Sequence, residues 1–257
     1  MKVIILAAGQ GTRLRPLTNE YPKCMIKFGE KSIIDYIIET MLSVNLTKIN
    51  VVTGYLSSVL RNHLTKYDRI SFYHNENYPT TNMLYSLWHA SAEFNDDVVI
   101  SYSDIIYSCE ILQKLINSPH KISVVIDKNW RDLWSLRMDD PLQDAESLVL
   151  DKNENIIEIG KKVNSYEKIQ GQYIGLLKIC REIWPKIIKF YNTLSAEIDT
   201  KSMHMTDFLQ KLINSNFPMK IIPIHGDWLE IDSLEDLKRY NNNIIKFKRL
   251  LNQGKDS

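Results

Sequence analysis

Residues 6–25 read LAAGQGTRLRPLTNEYPKCM and bring Gly9, Gly11, Thr12, Arg13 and Lys23 into one short span behind an apolar run. Glycines at such a position let successive backbone N–H groups approach an anion closely. Arg13 and Lys23 add the charge that a backbone cannot supply. The chemistry such a set can do is to hold phosphate groups. Two common phosphate loops do not fit the spacing. The dinucleotide fingerprint needs a third glycine where Leu14 stands, and a Walker A loop needs Gly-Lys-Ser/Thr. A plain glycine turn with solvated arginines competes with the phosphate-loop reading, and glycine spacing alone leaves both open.

Other side chains stand where they could take part. Asp104 ends VVISYSD and Asp232 ends WLEID, each following an apolar extended run. In an open α/β sheet a carboxylate at such a strand end faces the ligand crevice, although one strand-end aspartate alone is more often a turn former or a cap. Trp130 and Trp134 are four apart and share a face if the segment is helical, so their rings could cage a quaternary ammonium. Buried aromatic packing is the commoner use of that spacing. Arg131 and Arg137 nearby suit an anion better, because a guanidinium takes a carboxylate through two N–H bonds.

These residues need elements to position them. Val3–Leu6 is a continuous β-prone run, as expected for a strand buried on both faces. SIIDYIIETMLSV has apolar residues at helical spacing behind Ser32 as N-cap. Strand and helix alternate over roughly the first 105 residues, which predicts βαβ units and a parallel sheet. Further on, SLVLD and IIEIG read as a small antiparallel ribbon around the turn KNEN, and QYIGLLKI as a strand. REIWPKIIKFYNTL and MTDFLQKLINS read as helices, and SLEDLKRYNNNIIKFKRLL as one closing helix capped by Ser233. DKNWRDLWSLRMDDPLQDAE fits no single regular element. The expectation is one domain over residues 1–257 with a lid-like acceptor region at about 127–180.

Composition narrows the partners. The 257 residues carry 32 Lys+Arg against 31 Asp+Glu, a net charge of +1, so no bulk field favours nucleic acid or an anionic membrane. An anion must therefore be held by a local site. Three widely spaced cysteines, Cys24, Cys109 and Cys180, fit neither a disulfide framework nor a zinc site and suit a reducing cytoplasm. The apolar start stops at Gly9 without a cleavage pattern, and no run approaches the ~20 residues that span a bilayer.

The whole pattern LAAGxGTRLxPLTxxxPKxM is present without a gap, and it resembles the signature of the sugar-phosphate and cytidylyl nucleotidyltransferases. The resemblance implies an α/β fold with a Rossmann-like mixed, mostly parallel sheet flanked by helices, plus a small antiparallel lid. It implies that Leu6, Ala7, Ala8, Gly9, Gly11 and Thr12 hold a nucleoside triphosphate. Arg13 would meet the β- and γ-phosphates and Lys23 the α-phosphate. An acceptor oxygen would attack the α-phosphorus in line, with no protein nucleophile. Asp104 and Asp232 match the family's two metal positions, so Mg²⁺ is the expected cofactor.

The resemblance extends to the acceptor side. NIIEIGKKV is similar to the family strand ending in Glu-Lys-Pro, whose lysine contacts the acceptor phosphate. Gly160 stands where glutamate is usual, and Lys161 is the first choice for that lysine with Lys162 the alternative. QYIGLLKI matches the strand that carries a glycine near the acceptor, here Gly175. Hexose-phosphate thymidylyl and uridylyl enzymes carry a glutamine and Pro-x-Gly-x-Ala where this chain has Thr81, Asn82 and Ser86. That difference points to cytidylyltransferases acting on phosphocholine, phosphonates and other phosphorylated small molecules. Asn82 and Ser86 become base-site candidates, since an amide or hydroxyl can pair with the cytosine N4 amine and O2; an N-cap and a helix face are their competing uses.

The combination DKxWxxLWSxR…PLxDAExL, with GKK and QYIGL downstream, is most similar to the cytidylyltransferases that activate phosphoglutamine for capsule phosphoramidate synthesis. It implies Trp130, Trp134 and Arg137 as acceptor contacts. The implied partners are CTP and a phosphorylated small-molecule acceptor, with no nucleic acid and no membrane, and a homodimer is left open. Phosphocholine, phosphonate and hexose-1-phosphate nucleotidyltransferases are the alternatives, together with a nucleotide-sensing regulatory subunit.

Overall fold

The computed structural model describes residues 1–252, so residues 253–257 of the expected domain lie outside the described residues. A central sheet contains β1 (Lys2–Ala7), β2 (Ile49–Thr53), β3 (Ile70–His74), β4 (Val98–Tyr102), β5 (Ile122–Asp127), β6 (Gln172–Ile179) and β7 (Lys220–Ile224). Their order is β7-β5-β6-β4-β1-β2-β3. Every neighbouring pair is parallel except those of β6, which runs against both β4 and β5. The sheet is thus mixed and mostly parallel.

Among the described residues, eight helices of seven or more residues flank or cap it: α1 (Ile33–Ser43), α2 (Ser57–Leu64), α3 (Met83–His89), α4 (Cys109–Ile116), α5 (Trp130–Arg137), α6 (Trp184–Glu197), α7 (Met205–Asn214) and α8 (Leu234–Asn242). Period-two alternation along β1 explains why its sequence is apolar from Val3 onward. Val3, Ile5 and Ala7 pack into one apolar layer with α1 and α4, whereas Ile4 and Leu6 pack into the other with α3, α6 and α7. Among the described residues, no helix is long and apolar enough to cross a membrane.

The register brings the chemistry to one edge. Ala7 pairs with Thr53 and Leu6 with Tyr102, so β1, β2 and β4 end together and their loops open on the same side. The reversed direction of β6 brings its beginning, not its end, to that side, with Gln172 opposite Asp127. A short antiparallel ribbon then joins Ile105–Tyr107 to Trp228–Glu230. Just beyond it, the Ile231 N–H donates to the Asp104 carbonyl at 2.9 Å. This one pairing brings Asp104 and Asp232 together across the chain.

The stretch that fits no single regular element contains α5 followed by a turn at Pro141–Gln143. Two expectations change. The closing helix is broken at Asn243 into α8, a turn at Ile244–Phe247 and a last turn at Lys248–Leu251, which lets Phe247, Leu250 and Leu251 enter the core. Residues 172–179 of the expected lid region are a strand of the main sheet, because Ile174 faces one apolar layer and Leu177 and Ile179 the other. The ribbon of Glu146–Leu150 with Ile156–Lys162 forms as expected.

Candidate active site

The loop after β1 walls a cavity of about 340 Å³. Leu6, Ala7, Ala8, Gly9, Gly11 and Thr12 line it on one side, and Arg13, Lys23, Asp104 and Asp232 lie on its floor and rim. Gly11 has φ +60°, and a Cβ there would stand 2.7 Å from the Lys23 Cβ. The turn therefore needs glycine twice over, for its left-handed backbone and for the lysine packed against it. The Thr18 hydroxyl donates to the Gly11 carbonyl at 2.9 Å and fixes the turn from behind.

Lys23 sits between the two aspartates, its Nζ 2.7 Å from Asp104 Oδ2 and 2.5 Å from Asp232 Oδ1. Arg13 pairs with the other oxygen of Asp232. Burial works to lower the Lys23 pKa, but attraction from Asp104, Asp232 and Glu230 overrides it and holds the ammonium above its ordinary range. Burial pushes Asp232 the other way, yet Lys23 and then Arg13 keep its carboxyl below the ordinary value. Cys24, next in the chain, is buried, and desolvation pushes its thiol up to about 12. It stays protonated and offers no nucleophile.

Glu230 completes the acidic group and was not anticipated. Its carboxylate, with those of Asp104 and Asp232, presents oxygens that all lie within 4.8 Å of one another. The alternation in WLEID carried the signal, since period two puts Glu230 on the same side as Asp232. Burial raises its pKa to about 7, against the pull of Arg137 and with the help of Asp104 and Asp232. Asp104 Oδ1 is buried with no hydrogen-bond partner among the described residues. Three hard oxygen donors, one of them unsatisfied, fit a divalent cation such as Mg²⁺.

A second cavity of about 190 Å³ adjoins the first, sharing Met83, Tyr102 and Glu230 with it. Trp134, Trp228 and Tyr173 supply aromatic wall, and Asp144, Glu146 and Glu230 supply acid. Trp134 Nε1 donates to Asp144 at 3.1 Å. Gly175 also lines this cavity, with φ +83°, and a Cβ there would lie 2.6 Å from the Tyr102 ring.

A family model described as nucleotidyl transferase matches residues 2–132. The CTP:phosphoglutamine cytidylyltransferase of Campylobacter jejuni subsp. jejuni serotype O:2 is 45% identical over 249 residues, covering 93% of this chain and 98% of that protein. The chain belongs to the nucleotidyl transferase family. Two solved structures share the fold of this nucleotidyl transferase. The inositol-1-phosphate CTP transferase of T. maritima aligns with a TM-score of 0.78 at 19% identity, over 98% of this chain and 96% of that one. The CTP:phosphocholine cytidylyltransferase of Streptococcus pneumoniae aligns with a TM-score of 0.72 at 20% identity, over 95% and 98%.

Not every residue expected at the site of this nucleotidyl transferase faces a cavity. Asn82 and Ser86 line the first one but are already engaged. Asn82 Oδ1 caps α3 by accepting from the Met83 N–H at 2.8 Å, and its Nδ2 donates to the Ser202 carbonyl. Ser86 accepts from Asn75 at 3.0 Å. Tyr78 and Thr81, absent from the expected set, line the same wall. Trp130 is buried against Trp134 and Tyr166 and lines neither cavity.

Arg137 departs furthest from expectation. It lines neither cavity and is not free for a substrate carboxylate, because Glu230 and Asp236 take its donors. Lys161 lies outside both cavities, its ammonium turned to Glu158. A register break between Ile159 and Lys162 leaves Lys162 opposite Glu146 in the ribbon. Directly opposed residues share a face of a ribbon, which sets Lys162 on the Glu146 side.

Proposed function

We propose that the protein transfers CMP from CTP to phosphoglutamine and releases pyrophosphate. The observation that carries this reading is the 45% identity to a CTP:phosphoglutamine cytidylyltransferase over 93% of the chain, with the glycine loop and the carboxylates in one cleft. An oxygen of the acceptor phosphate forms a bond to the α-phosphorus as the bond from that phosphorus to the bridging oxygen breaks, and pyrophosphate departs with the electron pair. No proton has to be removed from the attacking phosphate, so the protein needs to align and neutralise and has no general base to supply.

The chain's residues divide this work. Backbone N–H groups of residues 9–12 and the Arg13 guanidinium take the β- and γ-phosphates. Lys23, held fully charged by its acidic neighbours, follows the negative charge that gathers on the α-phosphoryl oxygens in the transition state. Asp104, Glu230 and Asp232 hold a divalent cation, which when bound neutralises charge between the two anions and polarises the phosphoryl oxygen. Asn82, Ser86 and Thr81 read the base by exchanging internal hydrogen bonds for bonds to cytosine.

The acceptor occupies the second cavity. Among the described residues, no lysine or arginine lines that cavity, and the Glu146 side chain, pushed up in pKa by burial and by Asp144 and Asp207, has no cationic partner. Its acid and aromatic walls suit an ammonium group, which a phosphorylated amino acid carries and a hexose phosphate lacks. Phosphocholine is the second reading, favoured by the Trp134 and Trp228 rings with centres 6.0 Å apart.

Pyrophosphate release with CTP and Mg²⁺, measured across phosphoglutamine, phosphocholine and 2-aminoethylphosphonate, tests the reading. Turnover fastest with phosphoglutamine is expected. Release seen with a hexose 1-phosphate and UTP or dTTP, and with none of the three, overturns it.

A further inference from the structure

Arg137 is 4% exposed and lines neither cavity, yet it touches the walls of both. Nη1 donates to Glu230 Oε2 at 2.7 Å and lies 3.8 Å from Asp144 Oδ2. Nε donates to Asp236 Oδ1 at 3.2 Å and Nη2 to Asp236 Oδ2 at 3.5 Å. Its central carbon stands 5.2 Å from the centre of the Trp134 ring.

Each partner does a second job. Glu230 contributes an oxygen to the group formed with Asp104 and Asp232. Asp236 Oδ2 accepts from the backbone N–H of Asp232 at 3.0 Å and of Ser233 at 2.9 Å, which fixes the turn that presents the Asp232 carboxylate. Asp144 holds the Trp134 indole, and both line the second cavity. A buried guanidinium is a costly way to fill space, and apolar side chains of similar volume often stabilise a fold as well or better. Its planar fork is, however, the side chain suited to holding several carboxylates at fixed angles at once.

We infer that Arg137 is a positioning residue, which aims Glu230 directly and Asp232 through Asp236 at a divalent cation and ties both to the acceptor wall at Trp134. This rests on the proposed reading that the three carboxylates bind metal. Outer partners of metal ligands act by orienting them, and their loss typically lowers metal affinity without removing a ligand.

Two variants cut the same link from opposite ends. Arg137→Lys keeps the charge and loses the fork. Asp236→Asn keeps an oxygen for the Asp232 and Ser233 N–H groups and loses the ion pair. Mn²⁺ binding, read from the free-ion electron paramagnetic resonance signal with and without CTP, is compared with kcat, with KM for CTP and with thermal melting. Both variants should bind Mn²⁺ about tenfold more weakly, with kcat reduced and KM for CTP within about twofold. The double variant should be no worse than Arg137→Lys alone, since the link to Asp236 runs through the Arg137 fork. A folded variant that melts earlier but binds Mn²⁺ as the wild type does makes Arg137 structural only, and additive losses also overturn the inference. A wild-type chain that binds no Mn²⁺ even with CTP sinks the metal reading itself, a result distinct from equal binding by wild type and variants.

Discussion

The two cavities that meet at Glu230 are built in opposite ways. The first owes most of one wall to a single strand end and its loop, residues 6–13, and carries the cations Arg13 and Lys23. The second draws Trp134, Glu146, Gly175, Thr206 and Trp228 from separate segments and carries no lysine or arginine among the described residues. Triphosphate presents the same charges in every nucleotidyl transfer, so one contiguous loop can meet it. An acceptor differs from one reaction to another, and a wall made from several segments can be altered one piece at a time.

Substitutions can break that contrast, and Lys23→Met should do so most severely. Removing the cation shared by Asp104 and Asp232 is expected to lower kcat by roughly 10² to 10³, read as pyrophosphate release at saturating substrates. A regulatory subunit that only senses nucleotide would have no wild-type turnover to lose. The variant should also melt earlier at neutral pH and recover as the pH falls, because carboxylates left without a counter-charge are relieved by protonation.

Glu146→Gln sharpens the contrast on the acceptor side. KM for phosphoglutamine should rise roughly tenfold, the loss typical of one charge-assisted contact, with kcat and KM for CTP close to wild type. The counterpart acceptor that lacks the α-amine should be used equally by both proteins. An equal loss for both acceptors would remove the ammonium from the account.

Glu230 stands at the junction, and its titration gives a smaller effect. Its pKa is raised from 4.5 to about 7, so in that window the folded chain holds a proton that the unfolded chain has released. The stabilisation is present at the acid end of the window and is lost as the pH rises through 7. Glu230→Gln should remove that slope. The melting temperature of the variant relative to wild type should rise by about 4 °C from pH 5 to pH 8. The smallest effect belongs to the ribbon lysines. Lys162→Ala should raise the acceptor KM about threefold, and Lys161→Ala should leave it unchanged, as suits exposed charges; the reverse order would return Lys161 to the site.

Legibility followed the distance over which each residue's fate is decided. The glycine loop could be read because its spacing, its strand and its two cations lie within 20 residues of one another, and the apolar layers could be read from periodicity. Glu230 was legible in principle, from the alternation in WLEID. Arg137 was not, because its partners Glu230 and Asp236 lie 93 and 99 residues away and nothing local says that they will neutralise it. Trp130 and Trp134 do share a helix, as their spacing implies, but which ring reaches a cavity depends on Tyr166 and Trp228. Where Lys161 and Lys162 stand depends on a register break in a ribbon, a feature that no composition rule forecasts.

One consequence follows from the reversed direction of β6. Asp127 ends β5 where Gln172 begins β6, and the two residues are paired. The intervening residues 128–171, which carry α5, Asp144, Glu146 and both ribbon lysines, therefore leave and rejoin the sheet at adjacent points. Such an excursion can be lengthened, shortened or exchanged without shifting the register of any strand that carries the glycine loop. The sheet works as a socket for an exchangeable part, provided that part keeps Arg137, whose donors reach out of the excursion to Glu230 and Asp236; the strand that carries the glycine loop is then left standing.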